Sequence, residues 1–396
     1  MIIKKLFLYS MNNIFLFQRA LRLDDNIGLI QCLRDSKNVL PVFCLDPRQA
    51  SPKKNDYFSY YAFGFMNQSL QYLNKELKNN LLLLEGEPHK VLPNIIKQYD
   101  IQNIYINTDY TPFAKKRTEE LKKICNVREY QDYLLFDTGK IITKSTKKAY
   151  RVYTPFLNQT KTRKIKKPIM LDSRLKNKFF KNIKHNKKGW DYLNKYSKYS
   201  PLYTPGNREE GLKRLKELSN TQEHYASCRN YLKYRTSNIS AYIKFGCVSI
   251  REAWHAFDKV KGKSGRGLKD QLSWREFYYQ YYNDYPELLE WDKKTKDVKI
   301  EKSYPNIVKQ CFNDLDKTGF LHNRGRMILA NYLLHNKKKY WKDCDKMYAK
   351  RLVDYDPIVN IGNWLWIKKQ PKFRWLKPEV QERKWNCECP LIKKSN

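Results

Sequence analysis

The sequence predicts a parallel α/β domain at the N-terminus, joined by a long connector to an all-helical domain. Three observations indicate this fold class. Short apolar runs alternate with amphipathic segments between residues 13 and 136, a lysine-rich stretch follows, and aromatic residues recur at helical spacing from about residue 206 onward. With 396 residues the chain is also too long for one ordinary hydrophobic core, so two domains are expected.

Four apolar runs in the N-terminal part have the length and composition of buried strands, namely 14–17, 39–45, 81–84 and 104–106. Amphipathic segments lie between them, for example 63–77 and 91–99. Strands that alternate with helices indicate βαβ units and a parallel sheet. No glycine-rich dinucleotide fingerprint follows the first run, so an NAD site of the ordinary Rossmann type is not expected. We assign residues 11–136 to this domain.

The connector is expected over residues 137–205. Between residues 161 and 188 it has twelve Lys or Arg and a single acidic residue, Asp172. This composition is typical of a partly disordered segment that crosses the surface, and both a solvated linker and a DNA contact remain open. We assign residues 206–386 to the helical domain and 387–396 to a tail.

The formal net charge of +38 favours a polyanionic partner such as nucleic acid, although codon bias in an AT-rich genome would also raise the lysine content. The nine cysteines are scattered without a CxxC pair, so we expect reduced thiols, no disulfide framework and no metal site. No apolar run is long enough to cross a bilayer, and no signal-peptide pattern is present. These features predict an intracellular protein, cytoplasmic or nuclear, with no membrane partner.

One segment carries most of the functional information. Two carboxylates, an amide and two indoles fall within thirteen residues: Asp354, Asp356, Asn360, Trp364 and Trp366. About thirty residues upstream, Arg326 lies on an apolar, helix-like run. Carboxylates and amides can bond a polar ring edge, Arg can pair with a buried Asp, and Trp can stack or pass electrons. The combination indicates an aromatic redox ligand; the alternative is a Trp-rich core with one buried ion pair.

These segments resemble the flavin-binding domain of the cryptochrome/photolyase family. The stretches 235–246 and 274–277 resemble it as well, and 19–26 resembles the family's N-terminal motif, all in the family's order. The resemblance implies an FAD cofactor, a possible second antenna chromophore of folate or deazaflavin type, damaged DNA as partner, and a monomer. The cofactor-binding residues that it implies are Tyr225, Thr236, Ser237, Asn238, Ile239, Ser240, Arg326, Asp354, Tyr355 and Asp356.

Within this set, hydroxyl groups and free N–H groups at a helix start suit the FAD pyrophosphate. The resemblance makes Arg326 and Asp354 an ion pair beside the flavin, and it places Asp356 at the polar edge of the ring. Asn360 would face flavin N5. Trp364 and Trp341 would begin the electron relay, and Trp291 lies in the region expected for its third member. Core packing is the alternative role for each indole.

By the same resemblance, Trp274 and Trp366 line the pocket for a flipped lesion, which needs flat apolar walls. The other implied DNA contacts are Gln271, Arg275, Tyr278, Asn323 and Gln381. Gln271 is typical of (6-4) photolyases, but Asn323 and Met327 replace the two histidines of those enzymes. We therefore expect a carbon–carbon lyase that repairs cyclobutane pyrimidine dimers by electron transfer from photoexcited reduced FAD. The alternatives are a blue-light photoreceptor without repair, a (6-4) photolyase, and an inactive relative.

Overall fold

The computed structural model describes residues 11–183, 187–197, 204–289, 295–369 and 376–392. Its N-terminal part contains five strands: β1 Asn12–Phe17, β2 Asn38–Leu45, β3 Leu82–Glu85, β4 Ile101–Asn107 and β5 Asn126–Tyr130. They form one parallel sheet in the order β3-β2-β1-β4-β5, with Asn12 opposite Asn38 and Phe17 opposite Phe43 between β1 and β2. The predicted fold class is therefore confirmed.

The sequence predicted the first four strands but not β5. This strand reads Asn-Val-Arg-Glu-Tyr, lies at one edge of the sheet and is exposed or half-buried throughout. It has no apolar run that could mark it. The helices of this part are α1 Ile27–Asp35, α2 Pro47–Ala50, α3 Tyr60–Glu76, α4 Pro88–Gln98 and α5 Pro112–Lys122. Strand order reverses between β1 and β4, so a crevice is expected at the carboxyl ends of these strands.

After β5 the described chain forms helices. They are α6 Tyr153–Thr160, α7 Ser173–Lys176, α8 Lys187–Ser197, α9 Arg208–Thr221, α10 Tyr225–Cys228, α11 Ser240–Lys244, α12 Ile250–Phe257, α13 Gly262–Asp284, α14 Asn306–Thr318, α15 Asn323–Asn331, α16 Trp341–Arg351, α17 Pro357–Lys369 and α18 Pro378–Trp385. A 3₁₀ turn covers Pro286–Leu289 and a π turn covers Tyr332–Asn336. Within the described residues, no helix is long and apolar enough to cross a membrane.

The described part of the basic connector packs on the α/β domain. The backbone N–H of Ile169 donates to the Asp25 carboxylate at 3.0 Å, and Lys178 Nζ donates to the carbonyl of Leu33 at 2.8 Å. Phe179 forms a bridge with Val39 at the start of β2. The described connector therefore has fixed contacts along its length, where the composition had favoured partial disorder.

A buried ion network joins the two domains. Arg22 lies 2.6 Å from Asp132, and Arg251 on α12 lies 2.9 Å from Asp25 and 2.7 Å from Asp132. Next to this network, Gly246 has φ +64° and a Cβ there would lie 2.3 Å from the backbone of Ala20, so only glycine fits. The chain just after β1 is thereby held against α11.

The expectation of reduced, unpaired cysteines is wrong for one pair. Cys228 at the end of α10 and Cys389 after α18 form a disulfide, with their Cα atoms 5.5 Å apart and 161 residues between them in sequence. The sequence could not reveal this pair, because neither cysteine lies in a recognisable spacing and the fold alone brings them together. The other seven cysteines, all within the described residues, are free.

Candidate FAD and DNA site

The ion pair predicted between Arg326 and Asp354 is formed. Arg326 Nη2 donates to both oxygens of Asp354, at 3.0 and 2.8 Å, while its Nε donates to the carbonyl of Leu321. Ser240 Oγ, at the start of α11, donates to Asp354 at 2.6 Å. Burial raises the pKa of Asp354, but the charge and hydrogen bonds of Arg326, with the bond from Ser240, hold it below its usual value. Asp354 is therefore a carboxylate that ties α11 to α15.

Asp356 lies where the two domains meet. Its Oδ2 accepts hydrogen bonds from Arg19 Nη1 at 2.9 Å, Tyr279 Oη at 2.6 Å and Tyr133 Oη at 3.2 Å. Its Oδ1 accepts the backbone N–H groups of the first turn of α17. A hydrogen bond between Asp356 and the polar edge of the flavin ring would therefore have to use an oxygen that already accepts from one of these donors. The sequence did not identify Tyr133 or Tyr279 as partners, because both come from distant parts of the chain.

Asn360 contacts a buried acid that the sequence did not single out. Its Nδ2 donates to Asp345 Oδ1 at 2.5 Å, and Tyr355 Oη donates to Asp345 Oδ2 at 2.8 Å. Burial raises the pKa of Asp345 to about 6, although Tyr355, Asn360 and the nearby indole of Trp364 all favour the ionised form. Asp345 therefore controls the orientation of the amide predicted to face the flavin.

The segment predicted to bind the FAD phosphates has unused polar groups. Asn238 has φ +49°, and both polar atoms of its amide are buried without a partner among the described residues. Thr236 and Ser237 are half-buried before it, Ile239 is buried after it, and the ring of Tyr225 lies against Gly267. A buried amide without a partner fits a polar ligand. These residues, with the Arg326–Asp354 pair beside them, therefore fit FAD.

An aromatic cleft lies near the surface of α13. The rings of Trp274 and Trp366 have centroids 6.5 Å apart at 75°, and the ring of Tyr153 stacks on Trp274 at 3.6 Å and 7°. Tyr153 Oη donates to the carbonyl of Asp270 at 3.1 Å, which fixes the stack. Gln271, one turn before Trp274, is exposed. The sequence missed Tyr153 because it lies within the segment assigned to the connector, far from every motif.

Three of the predicted DNA contacts are buried. Arg275 lies 4.1 Å from the ring centroid of Tyr133, Tyr278 donates to Asn363 at 3.2 Å, and Gln381 is only 1% exposed. These positions do not suit contact with a duplex. Arg275 follows Trp274 by one residue and so points to another side of α13. Its Nη2 is buried without a partner among the described residues, so it suits an anionic group inside the fold.

On α15, Asn323 is exposed and Met327 is half-buried, with Asn323 Nδ2 3.8 Å from Met327 Sδ. His322 is buried, and its Nδ1 accepts the backbone N–H of Arg324 at 3.1 Å. Burial and the charges of Arg326 and Arg324 lower the pKa of His322 to about 4. Its imidazole is therefore neutral at pH 7 and is a poor source of a proton.

The two inner indoles of the predicted relay belong to one apolar cluster. Trp364 is buried with its ring centroid 5.2 Å from that of Tyr348, and Trp341, at the start of α16, packs partly buried against the same cluster. The third candidate, Trp291, lies outside the described residues.

A cavity of about 480 Å³ opens at the carboxyl ends of β1 and β2. Its walls include Phe17, Gln18, Phe113 and Lys244. Both amide atoms of Gln18 are buried and have no partner in the described part of the chain. Burial, with the nearby charge of Arg19, lowers the pKa of Lys244 to about 8. The cavity is at the crevice that the strand order predicts, and its lining suits a flat ligand with amide groups.

Comparison with known proteins agrees with this geometry. Residues 13–171 match the family model of DNA photolyase, and residues 268–394 match that of the FAD binding domain of DNA photolyase. A deoxyribodipyrimidine photo-lyase of Synechococcus sp. is 27% identical over 96% of this chain and 87% of its own. Cryptochrome-1 of Spalax judaei is 25% identical over 96% of this chain and 71% of its own.

Among solved structures, an archaeal photolyase from Sulfolobus tokodaii with two FAD molecules superposes with a TM-score of 0.77 and 30% identity. The match covers 95% of this chain and 87% of that one. The sequence motifs, the two-part fold and the fit of the site to FAD all agree with these similarities. The chain therefore belongs to the cryptochrome/photolyase family and has that family's FAD-binding domain.

Proposed function

We propose that the protein repairs cyclobutane pyrimidine dimers in DNA in a light-dependent reaction that uses reduced FAD. Bound FAD would supply the absorption of blue light and the electron that opens the dimer. Thr236 to Ser240 would hold its phosphates, and the Arg326–Asp354 pair would lie beside its ring. Asn360, oriented by Asp345, would face N5.

The aromatic cleft is the observation that carries the repair proposal. The Trp274 and Trp366 rings present two flat apolar faces, as a dinucleotide extruded from the duplex requires. Tyr153 stacks on Trp274 at 3.6 Å, so the Trp274 wall is held in place before DNA arrives. A photoreceptor that never binds DNA has no need of such a cleft.

Proton supply favours a cyclobutane dimer over a (6-4) product. Repair of a (6-4) product needs a group that transfers a proton, whereas splitting a cyclobutane ring by electron transfer needs no side-chain acid. His322 is neutral at pH 7, and Asn323 and Met327 carry no titratable group. Gln271 can still donate a hydrogen bond to a thymine carbonyl.

We also propose that the cavity beside β1 holds the antenna chromophore. Gln18 would bond the amide edge of a flat heteroaromatic ring, and Phe17 and Phe113 would supply apolar walls. Flavins, deazaflavins and pterins share such an edge. Extraction of the purified protein and chromatography of the released chromophores would identify which is bound.

The test of repair uses fully reduced protein and oligonucleotides that carry one lesion each. We expect blue-light repair of the cyclobutane dimer, improved by Gln271→Glu because a carboxylate bonds a thymine N–H more strongly. Little repair of the (6-4) product is expected. Repair confined to the (6-4) product would reverse the assignment.

A photoreceptor is the second candidate, since cryptochromes are among the similar proteins. Repair of neither lesion by protein that carries FAD would favour it. Salt-independent or absent binding to duplex DNA would point the same way, because a repair enzyme must engage the phosphates.

A further inference from the structure

We propose that Cys228 and Cys389 form a redox modification site that controls how firmly FAD is held. The proposal rests on the proposed assignment of Thr236 to Ser240 to the FAD phosphates. Both cysteines are buried, at 0% and 3% exposure, and their sulfur atoms are bonded to each other. The bond fastens the segment 376–392, here called the C-terminal segment, to α10.

The C-terminal segment supports the chain that leads to the phosphate-binding residues. The carbonyl of Trp385 accepts the backbone N–H of Leu232 at 2.9 Å, and the Trp385 ring meets that of Tyr231 edge to face at 4.9 Å. The Arg324 guanidinium lies over the Trp385 ring, 5.5 Å from its centroid, and Arg324 also donates to Asn230. Residues 230–232 thus contact both α18 and α15, a few residues before Thr236.

The disulfide also anchors the start of the segment from 225 to 240. Cys228 is one helical turn after Tyr225, whose ring packs under α13 at Gly267. Without the disulfide, Cys389 and Cys228 would be in van der Waals contact only. Cys389 lies in a turn, two residues after the exposed Cys387. The C-terminal segment would then separate more often, and the chain from 225 to 240 would lose its support on that side.

The chemistry is a two-electron thiol–disulfide exchange. Oxidation joins the two sulfurs, and the two protons and two electrons that leave the thiols convert one molecule of oxidised glutathione into two of reduced glutathione. In reducing compartments paired cysteines of this kind are usually transient and redox-sensing rather than structural. We expect the oxidised form to retain FAD and the reduced form to release it faster.

The experiment uses the full-length protein loaded with FAD in the dark. It is equilibrated with oxidised glutathione or with dithiothreitol, and FAD release after dilution is followed by the rise in flavin fluorescence. We expect release from the reduced protein to be roughly tenfold faster, a change of about 1.4 kcal/mol. Cys389→Ser should release FAD at the fast rate under both conditions, whereas Cys387→Ser, a matched control two residues away, should behave as wild type.

Peptide mass spectrometry of the oxidised protein should recover Cys228 linked to Cys389. Two outcomes would overturn the inference: Cys228 that stays free or links to Cys387 in oxidised glutathione, or equal release rates from oxidised and reduced wild type. A protein that never binds FAD would instead contradict the proposed function. The two failures are therefore distinguishable.

Discussion

Replacing Asp345 with Asn should stabilise the protein at neutral pH. The side chain is 3% exposed, and burial raises its pKa from 3.8 to about 6 in spite of the hydrogen bonds from Tyr355 and Asn360. At pH 7 the carboxyl group is thus ionised in a site that favours its protonated form. An amide has the shape of the protonated carboxyl, with an oxygen for Asn360 and an N–H group for Tyr355.

The size of the expected stabilisation follows from the pKa shift of Asp345. A change from 3.8 to about 6 is about 2 pKa units, so ionised Asp345 costs about 3 kcal/mol of folding free energy. Below pH 3.8 both states are protonated and the cost is absent. As the pH rises, the unfolded state ionises first and binds fewer protons, so stability falls until the pH passes 6. The variant should therefore gain about 1.5 kcal/mol at pH 5 and about 3 kcal/mol at pH 7.5.

The assay is guanidinium chloride unfolding at both pH values, in the dark and with saturating FAD. Glu379→Gln, which removes an exposed carboxylate on α18, is the control and should change stability little at either pH. A variant that is less stable than wild type at pH 7.5 would refute the reasoning. Equal gains at the two pH values would also refute it, because they would show that ionisation is not the cause.

Three further predictions concern the cofactor and DNA. Asp356→Ala should lower FAD retention far more than Asp137→Ala, since it removes the shared acceptor of Arg19, Tyr133 and Tyr279 where the two domains meet; flavin content after gel filtration measures this, and equal retention would contradict it. Trp364→Phe should strongly slow photoreduction of oxidised flavin, measured as the loss of its visible absorption band, while repair by already reduced protein continues. Unchanged photoreduction would indicate that Trp364 only packs in the core. Affinity for undamaged duplex should fall linearly with salt on logarithmic axes, as counterion release requires; a flat titration would mean that the +38 charge is codon bias.

Local motifs in the sequence predicted the parts of the site that depend on short spacings. Asp354, Asp356 and Asn360 lie within seven residues at the start of α17, so one pattern contains them all. The Arg326–Asp354 pair could be anticipated because both residues lie in segments that resemble the family's motifs. The first four strands could be predicted for a similar reason, since each contains a continuous apolar run.

Contacts between distant residues could not be read in this way. Asp345 lies on α16 among lysines and reads as a surface charge until α17 is packed against it. Tyr153 meets Trp274 across more than a hundred residues, and Cys228 meets Cys389 across 161. Arg275, a DNA contact by resemblance, is buried against the ring of Tyr133, a contact between distant residues that no local motif shows.

The cavity beside β1 and the flavin site share structural elements, so their ligands should bind cooperatively. Tyr355 and Lys244 line the cavity, yet Tyr355 also bonds Asp345, and Lys244 Nζ donates to the carbonyl of Val353, next to Asp354. A ligand that orders these side chains reduces the entropy that FAD binding must still remove. By linkage, each ligand then raises the affinity for the other by the same factor.

Riboflavin can serve as the probe for the cavity. It should slow FAD release from wild type, and Ala62→Phe, which places a ring into the cavity wall, should abolish the effect while leaving release without riboflavin unchanged. Faster release with riboflavin would mean that it competes for the flavin site instead. Since the α/β domain lines most of the cavity and the helical domain contributes Tyr355 and Lys244 to it, slower release would show that the contacts of these two residues transmit binding between the cavity and the flavin site.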